Sequence, residues 1–321
     1  RGDGPPENLP SRSSQVTLDT STQSRAEASR QNTWAIDEWL SSAALALMVL
    51  IPVIEIVMRP WMGRGIENAP VLVQHLCLVL TMWGALAAER HGHLTTLGGG
   101  VRDHGNAANN GAKHWALVFA YGLSALLCGM LAVSSWRLVD SERGAAQILA
   151  YGIPIWWVQA SMPLGFALLG FKLGQRCVHF VSAWPLQSLS GLLLTLLGAM
   201  GVAQFDGMAM PLWPALMLLL VALLAGAPIF AVLGGLALAL FWQDGMPLAS
   251  VALSHYQITV NPSLPALPLF TLAGLVVART GAAQRLGTLF VALLGQGATG
   301  TVLATALLCS CFTAFTGGSG V

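Results

Sequence analysis

The sequence predicts an all-α, polytopic integral membrane protein, and three observations carry that prediction. Only 9% of its 321 residues are charged while 55% are hydrophobic, about a third of the charged fraction of a soluble domain. Apolar runs long enough to cross a hydrocarbon core, which takes about 20 helical residues, recur along the chain. Tryptophans stand at the ends of those runs, at Trp39, Trp61, Trp115, Trp136, Trp184 and Trp213, where an indole rests between headgroups and hydrocarbon.

Five runs qualify as spans: residues 40–58, 71–88, 115–135, 148–171 and 186–202. Each is expected to be helical, because lipid offers no partner to a backbone N–H or C=O. Orientation follows from Lys and Arg in the flanks, which concentrate on the cytoplasmic side. An N-terminus placed inside puts Arg1, Arg12, Arg25, Arg30, Arg90, Arg102, Lys113, Lys172 and Arg176 inside, against Arg59, Arg64, Arg137 and Arg143 outside. The segments 59–69 and 137–144 are then outer loops.

A sixth run, residues 211–242, would be about 48 Å long as one helix, too long for a single crossing. Gly226-Ala227-Pro228 interrupts it, and a proline there removes a backbone bond and clashes with the preceding turn. Two short crossings, 212–225 and 228–242, followed by a third at 266–278, bring Arg279 and Arg285 inside with the other bases. Residues 243–265 read as a loop with a short interfacial helix around 248–256. Beyond them, 286–294 is amphipathic and 299–315 is an apolar helix that runs into Thr316-Gly317-Gly318-Ser319-Gly320.

Several classes of function are excluded. A net charge of +1 supplies no basic face for nucleic acid. The five cysteines, Cys77, Cys128, Cys177, Cys309 and Cys311, are scattered and imply neither a disulfide framework nor a zinc site. Residues 1–33 have the Ser-, Thr-, Arg- and Pro-rich composition of a disordered tail. They carry no secretory signal, and Asp3, Glu7, Asp19 and Glu27 argue against an organellar transit peptide. A start at Arg1 and a stop just after a Gly-rich run read as a fragment of a longer chain.

The candidate site is the terminal Thr316 to Gly320 segment. A helix entering near Gly300 rises about 24 Å by Thr316, which places the glycines within the bilayer. Non-helical backbone at that depth belongs in a buried or cavity-lining position, and broken helices of this kind build ion and substrate sites. Freed carbonyls suit Na⁺, with the hydroxyls of Thr316 and Ser319 as further ligands and Gly318 allowing close approach. Two other readings stay open: a simple Gly-capped helix end, and the Gly-x-Ser-Gly of a rhomboid-like intramembrane serine protease at Gly317 to Gly320. The protease requires a histidine base from another helix, and the later runs hold none; His255 lies in the loop. Glu55, the one acid well inside the first five runs, precedes Arg59 by four residues and reads as a helical ion pair near the interface rather than a proton relay. His91 and His93, without a third ligand nearby, are a weak metal signal.

At these residues the chain resembles a tripartite ATP-independent periplasmic (TRAP) transporter with fused small and large membrane subunits, truncated in the large one. Residues 34–182 are similar to the four-helix small subunit, through Glu55-Ile-Val-Met-Arg59, Trp83-Gly84-Ala85-Leu86-Ala87-Ala88-Glu89-Arg90-His91-Gly92-His93, Gly152-Ile-Pro154-Ile-Trp156 and Pro163-Leu-Gly165-Phe166. Residues 183–206 resemble the connecting transmembrane helix of fused forms. Residues 207–321 resemble the start of the large subunit, through Gly226-Ala-Pro228-Ile229, Leu267-Pro268-Leu269-Phe270, Arg279-Thr-Gly281 and Phe312 to Gly320.

The resemblance implies an elevator-type, Na⁺-coupled importer of small organic acids in the bacterial inner membrane. Its expected partners are a periplasmic substrate-binding protein, the lipid bilayer and a small carboxylate solute. It implies no enzymatic activity and no cofactor beyond Na⁺ as coupling ion; the alternatives to it are the rhomboid-like protease and a non-transporting membrane scaffold made only of the four-helix part. Thr316, Gly317, Gly318, Ser319 and Gly320 become the tip of the first re-entrant hairpin, where Thr-Gly-Gly-Ser stands in place of the commoner Ser-Gly-Ser-Ser. Selectivity is expected to lie largely in the remainder of the large subunit and in the binding protein.

Overall fold

The computed structural model describes residues 36–63, 65–97, 111–145, 147–178, 184–205, 211–295 and 297–316. The first helix, α1 (Ile36–Met62), opens with Asp37 and Glu38 and closes on Arg59, charges that oppose the helix dipole at each end. Pro52 and Pro60 lie inside it, as prolines do in membrane helices whose neighbours cover the freed backbone. A short turn leads to α2 (Ala69–Arg90), which starts at an alanine-proline pair, proline being pre-organised for a first turn. Next come α3 (Gly111–Ala145), a hairpin of β1 (Ile148–Ala150) and β2 (Ile153–Pro154), α4 (Ile155–Gln159), α5 (Ser161–Val178) and α6 (Trp184–Phe205). The remainder is α7 (Leu212–Leu224), α8 (Ile229–Gln243), α9 (Ala249–Thr259), α10 (Ala266–Arg279), α11 (Ala282–Leu294) and α12 (Ala298–Thr316). Among the described residues the fold is all-α apart from that hairpin and one isolated bridge, Thr96 with Pro228. Three helical stretches, Ile36–Trp61, Ala69–Arg90 and His114–Ala145, are long and apolar enough to cross a membrane by length and composition.

Two sequence expectations are corrected at the end of α3. Residues 137–144, expected as a loop, continue the helix to Ala145. Residues 148–171, expected as one spanning helix, open with the β-hairpin, so the helix proper starts at Ser161. Tyr151 and Gly152 both have positive φ, 50° and 78°, which makes the two-residue turn whose twist matches paired strands. Pro154, paired with Ile148 across the hairpin, then leads into α4 with an extended backbone.

α3 is the axis of the molecule, packed along α5 and α6 and touched by α7, α8 and α9. α6 approaches both neighbours backbone to backbone. A Cβ on Gly198 would collide with the Leu126 carbonyl of α3, and one on Gly191 with the Phe171 carbonyl of α5. Small residues allow this approach, and the packing it yields drives helix association where lipid is as apolar as leucine. α6 is therefore an integral member of the bundle rather than a loose connection.

The expected break in the sixth run is present. α7 ends at Leu224, Gly226 takes a φ of 96°, and α8 starts directly after Pro228. The turn is anchored, since the Ile229 N–H donates to the Thr95 carbonyl at 3.0 Å and Thr96 bridges Pro228. This ties the break to the end of the bundle where α2 finishes. The short helix expected around 248–256 is present as α9, and it is seated on the bundle: Val251 and Ala252 are buried in one core with Leu78, Met82, Met130, Met162, Phe166 and Leu238. By contrast α10, α11 and α12 pack chiefly on one another, and they meet the bundle where Leu264 and Leu269 reach Met48, Val73 and Cys77.

Trp39, Trp61, Trp115, Trp136 and Trp213 are all exposed, as interface anchors should be; the side chain of Trp184 lies outside the described residues. Cys77, Cys128 and Cys177 are buried as free thiols and Cys309 is exposed. The tail, residues 1–33, also lies outside the described residues.

Candidate functional site

The densest chemistry gathers where α1 begins and where α2 and α5 end. Asp37, in the first turn of α1, accepts from Arg90 Nη2 at 2.8 Å and from Lys172 Nζ at 3.5 Å. Glu89, in the last turn of α2, accepts from Arg176 Nε at 2.6 Å and faces Lys172 at 3.8 Å. The side chains of Asp37 and Glu89 are 7% and 5% exposed, whereas their basic partners reach water at 24–41%. Lys172 also donates to the Leu86 carbonyl at 3.2 Å and Arg176 to the Glu89 carbonyl at 2.6 Å, which cover the last turn of α2. Each buried carboxylate thus has two cations, as desolvated charge requires. At the margin, His91 Nε2 lies 3.0 Å from Glu38 Oε1, and the His91 and His93 rings stack at 6.2 Å.

Among the described residues, the opposite end is held without buried charge. Asn68 donates to the Leu149 carbonyl at 2.9 Å. The Glu67 N–H donates to the Tyr151 hydroxyl at 3.1 Å, and the Tyr151 N–H donates back to Glu67 Oε2 at 3.3 Å. These bonds hold Tyr151 in its left-handed conformation, an arrangement that surroundings must over-determine. Arg143 stacks 4.4 Å from the Trp156 ring centroid, within cation–π range. Glu55 and Arg59 form the expected pair at 3.2 Å, with Arg59 exposed.

Near this end, His75 Nδ1 contacts the Val71 carbonyl at 2.8 Å and Nε2 contacts the Tyr256 hydroxyl at 2.8 Å. The carbonyl can only accept, so the proton sits on Nδ1 and Tyr256 donates to Nε2. Gln159 in turn bonds to Tyr256 through its side chain.

Of the residues expected to form the ion and substrate site, Thr316 is the last residue of α12, and its side chain, with Gly317, Gly318, Ser319 and Gly320, lies outside the described residues. Asp37 and Glu89 were not singled out as partners by sequence reasoning. The charge count did place Arg90, Lys172 and Arg176 on one side. The missing step was to ask which acids at the same run ends would neutralise them, and Asp37 and Glu89 stand there.

A bundle of apolar helices with its ionisable groups paired at the ends defines a polytopic all-α membrane component. Residues 48–183 match the family model described as tripartite ATP-independent periplasmic transporters, DctQ component. This segment, from the middle of α1 through α5, is similar to that component, which supports a TRAP transporter membrane component, and the family is one of transporter components rather than enzymes. No curated protein and no solved structure matches the chain.

Proposed function

We propose that the protein is the membrane part of a Na⁺-coupled importer of small organic acids, C4-dicarboxylates or related carboxylates. A periplasmic substrate-binding protein supplies the solute, and the chain lies in the bacterial inner membrane with its N-terminus cytoplasmic. The observation that carries this reading is the DctQ match over residues 48–183. In the bundle that contains this segment, the buried carboxylates Asp37 and Glu89 are already neutralised by Arg90, Lys172 and Arg176. That pairing suits a brace rather than a solute site. The proposed role of the DctQ-type bundle is to hold the transporting part against the bilayer and to help dock the binding protein.

The proposed solute and ion site is the Thr316 to Gly320 turn. The end of α12 presents unpaired carbonyls and the negative pole of its dipole, suited to a cation. Hydroxyls of Thr316 and Ser319 add ligands, and a Cβ at Gly318 would obstruct backbone approach.

The test is uptake of a radiolabelled C4-dicarboxylate by proteoliposomes holding the full-length protein, with its binding protein outside. Uptake is expected to stop when choline replaces Na⁺ and in Gly318→Val, with membrane insertion unchanged. Wild-type uptake by Gly318→Val with unaltered Na⁺ dependence would show that the turn is only a helix end. The orientation has its own check: a cysteine at position 141 should be labelled from the periplasm, and labelling only from the cytoplasm overturns it.

A further inference from the structure

Among the described residues, three buried side-chain polar atoms have no hydrogen-bond partner: Gln159 Oε1, Ser161 Oγ and His255 Nδ1. Two contacts link the segments that carry them. Gln159 ends α4 and Ser161 begins α5, two residues later. Gln159 bonds to Tyr256, the residue next to His255 on α9. The His255 ring in turn lies edge-on, 5.5 Å from the ring of Phe166, one turn into α5. Gln159 and Ser161 are themselves 1% and 7% exposed. Leaving such groups unpaired is destabilising, and each one in a native interior calls for an explanation, an ordered water among them.

The chemistry of the three atoms is complementary. Gln159 Oε1 accepts only, and Ser161 Oγ both donates and accepts. Burial lowers the pKa of His255 from its ordinary value, which favours a neutral ring with one accepting nitrogen. Water, which both donates and accepts, can answer an amide oxygen, a hydroxyl and an imidazole nitrogen of either tautomer.

We infer that Gln159, Ser161 and His255 form a buried water site at the seam where α9 meets α4 and α5, so that α9 is seated on the DctQ-type bundle by a hydrated polar contact. Buried waters typically make about three hydrogen bonds to groups that would otherwise be unsatisfied. The direct chain from Gln159 through Tyr256 to His75 forms the dry side of the same seam.

The experiment is a double-mutant cycle on the full chain in detergent, with Ser161→Ala, His255→Phe and the pair, read as Tm. Each single change is expected to lower Tm, and the pair by less than the sum, because either change releases the shared water. A rise in Tm for Ser161→Ala, the result of deleting a dry orphan, overturns the inference, as does strict additivity. Radiolytic hydroxyl labelling of the wild-type protein gives a second measurement that needs no variant. Met162 is fully buried, so oxidation there is expected only from water held in place. Absence of label at both Met162 and Phe166 overturns the site.

Discussion

The two ends of the DctQ-type bundle solve the same problem by different means. At one end α1, α2 and α5 are clamped by two buried carboxylates and three cations: Asp37 and Glu89 with Arg90, Lys172 and Arg176. At the other, a hairpin turn, an asparagine, a tyrosine and a stacked arginine hold the loops, and the ion pair of Glu55 with Arg59 is exposed. The difference teaches where charge is energetically costly. A carboxylate withdrawn from water must keep its cations, because removing one partner strands a charge, whereas a solvated pair adds almost nothing. The charged end should therefore be brittle and the hairpin end tolerant.

Glu89→Ala is expected to have the largest effect. It leaves Arg176 without its acid and Lys172 with only Asp37, and should cost about 3 kcal/mol, the low side of the range for broken buried pairs since both cations reach water. Thermal unfolding in detergent reads this as a lowered Tm that added salt does not mask. A Tm within a degree of wild type would show that the clamp is dispensable. Gly152→Val comes next. A β-branched residue at a φ of 78° costs roughly 1–2 kcal/mol, and proteolysis near the hairpin should quicken while global Tm falls less than for Glu89→Ala.

Arg143→Ala removes the stacking on Trp156 and should cost about 1 kcal/mol, with a shift in tryptophan fluorescence reporting the altered ring environment. An unchanged spectrum in that variant would dissociate Arg143 from Trp156. Arg59→Ala is the smallest, about 0.3 kcal/mol, and the difference from wild type should vanish at high salt, where exposed pairs are screened. If Arg59→Ala matched Glu89→Ala in magnitude, the contrast between the two ends would be wrong.

Much of the architecture was legible because lipid restricts the possibilities. The break at Gly226 to Pro228 followed from a run too long for one crossing and a proline in its middle, and α7 and α8 flank it. The helix from 299 to 315 appears as α12 within a residue at each end. The hairpin at Ile148–Pro154 was hidden by composition, since Ile, Leu, Ala and Tyr read equally as a buried helix or a strand. Gly152 two residues before Pro154 was the available signal, a breaker pair inside an apolar run. The seating of α9 was hidden for a different reason. Val251, Ala252, His255 and Tyr256 sit in a segment polar enough to pass for a surface loop, yet they are packed against α2, α3 and α5.

The sequence by itself determined that this chain lives in a membrane, that its helices change direction at Gly226 to Pro228, and that its bases collect at alternate run ends. These are one-dimensional properties: run length, breakers and flanking charge act through the bilayer, which treats every segment alike. Only the tertiary structure decided that Asp37 answers Arg90 and Lys172, that Asn68 caps a strand beyond the third helix, and that α6 beds its glycines against α3 and α5. Those partners are far apart along the chain, and no local rule ranks one pairing above another. The choice is made by shape, because this packing of the helices lets glycine backbones touch while Asp37 and Glu89 keep their cations.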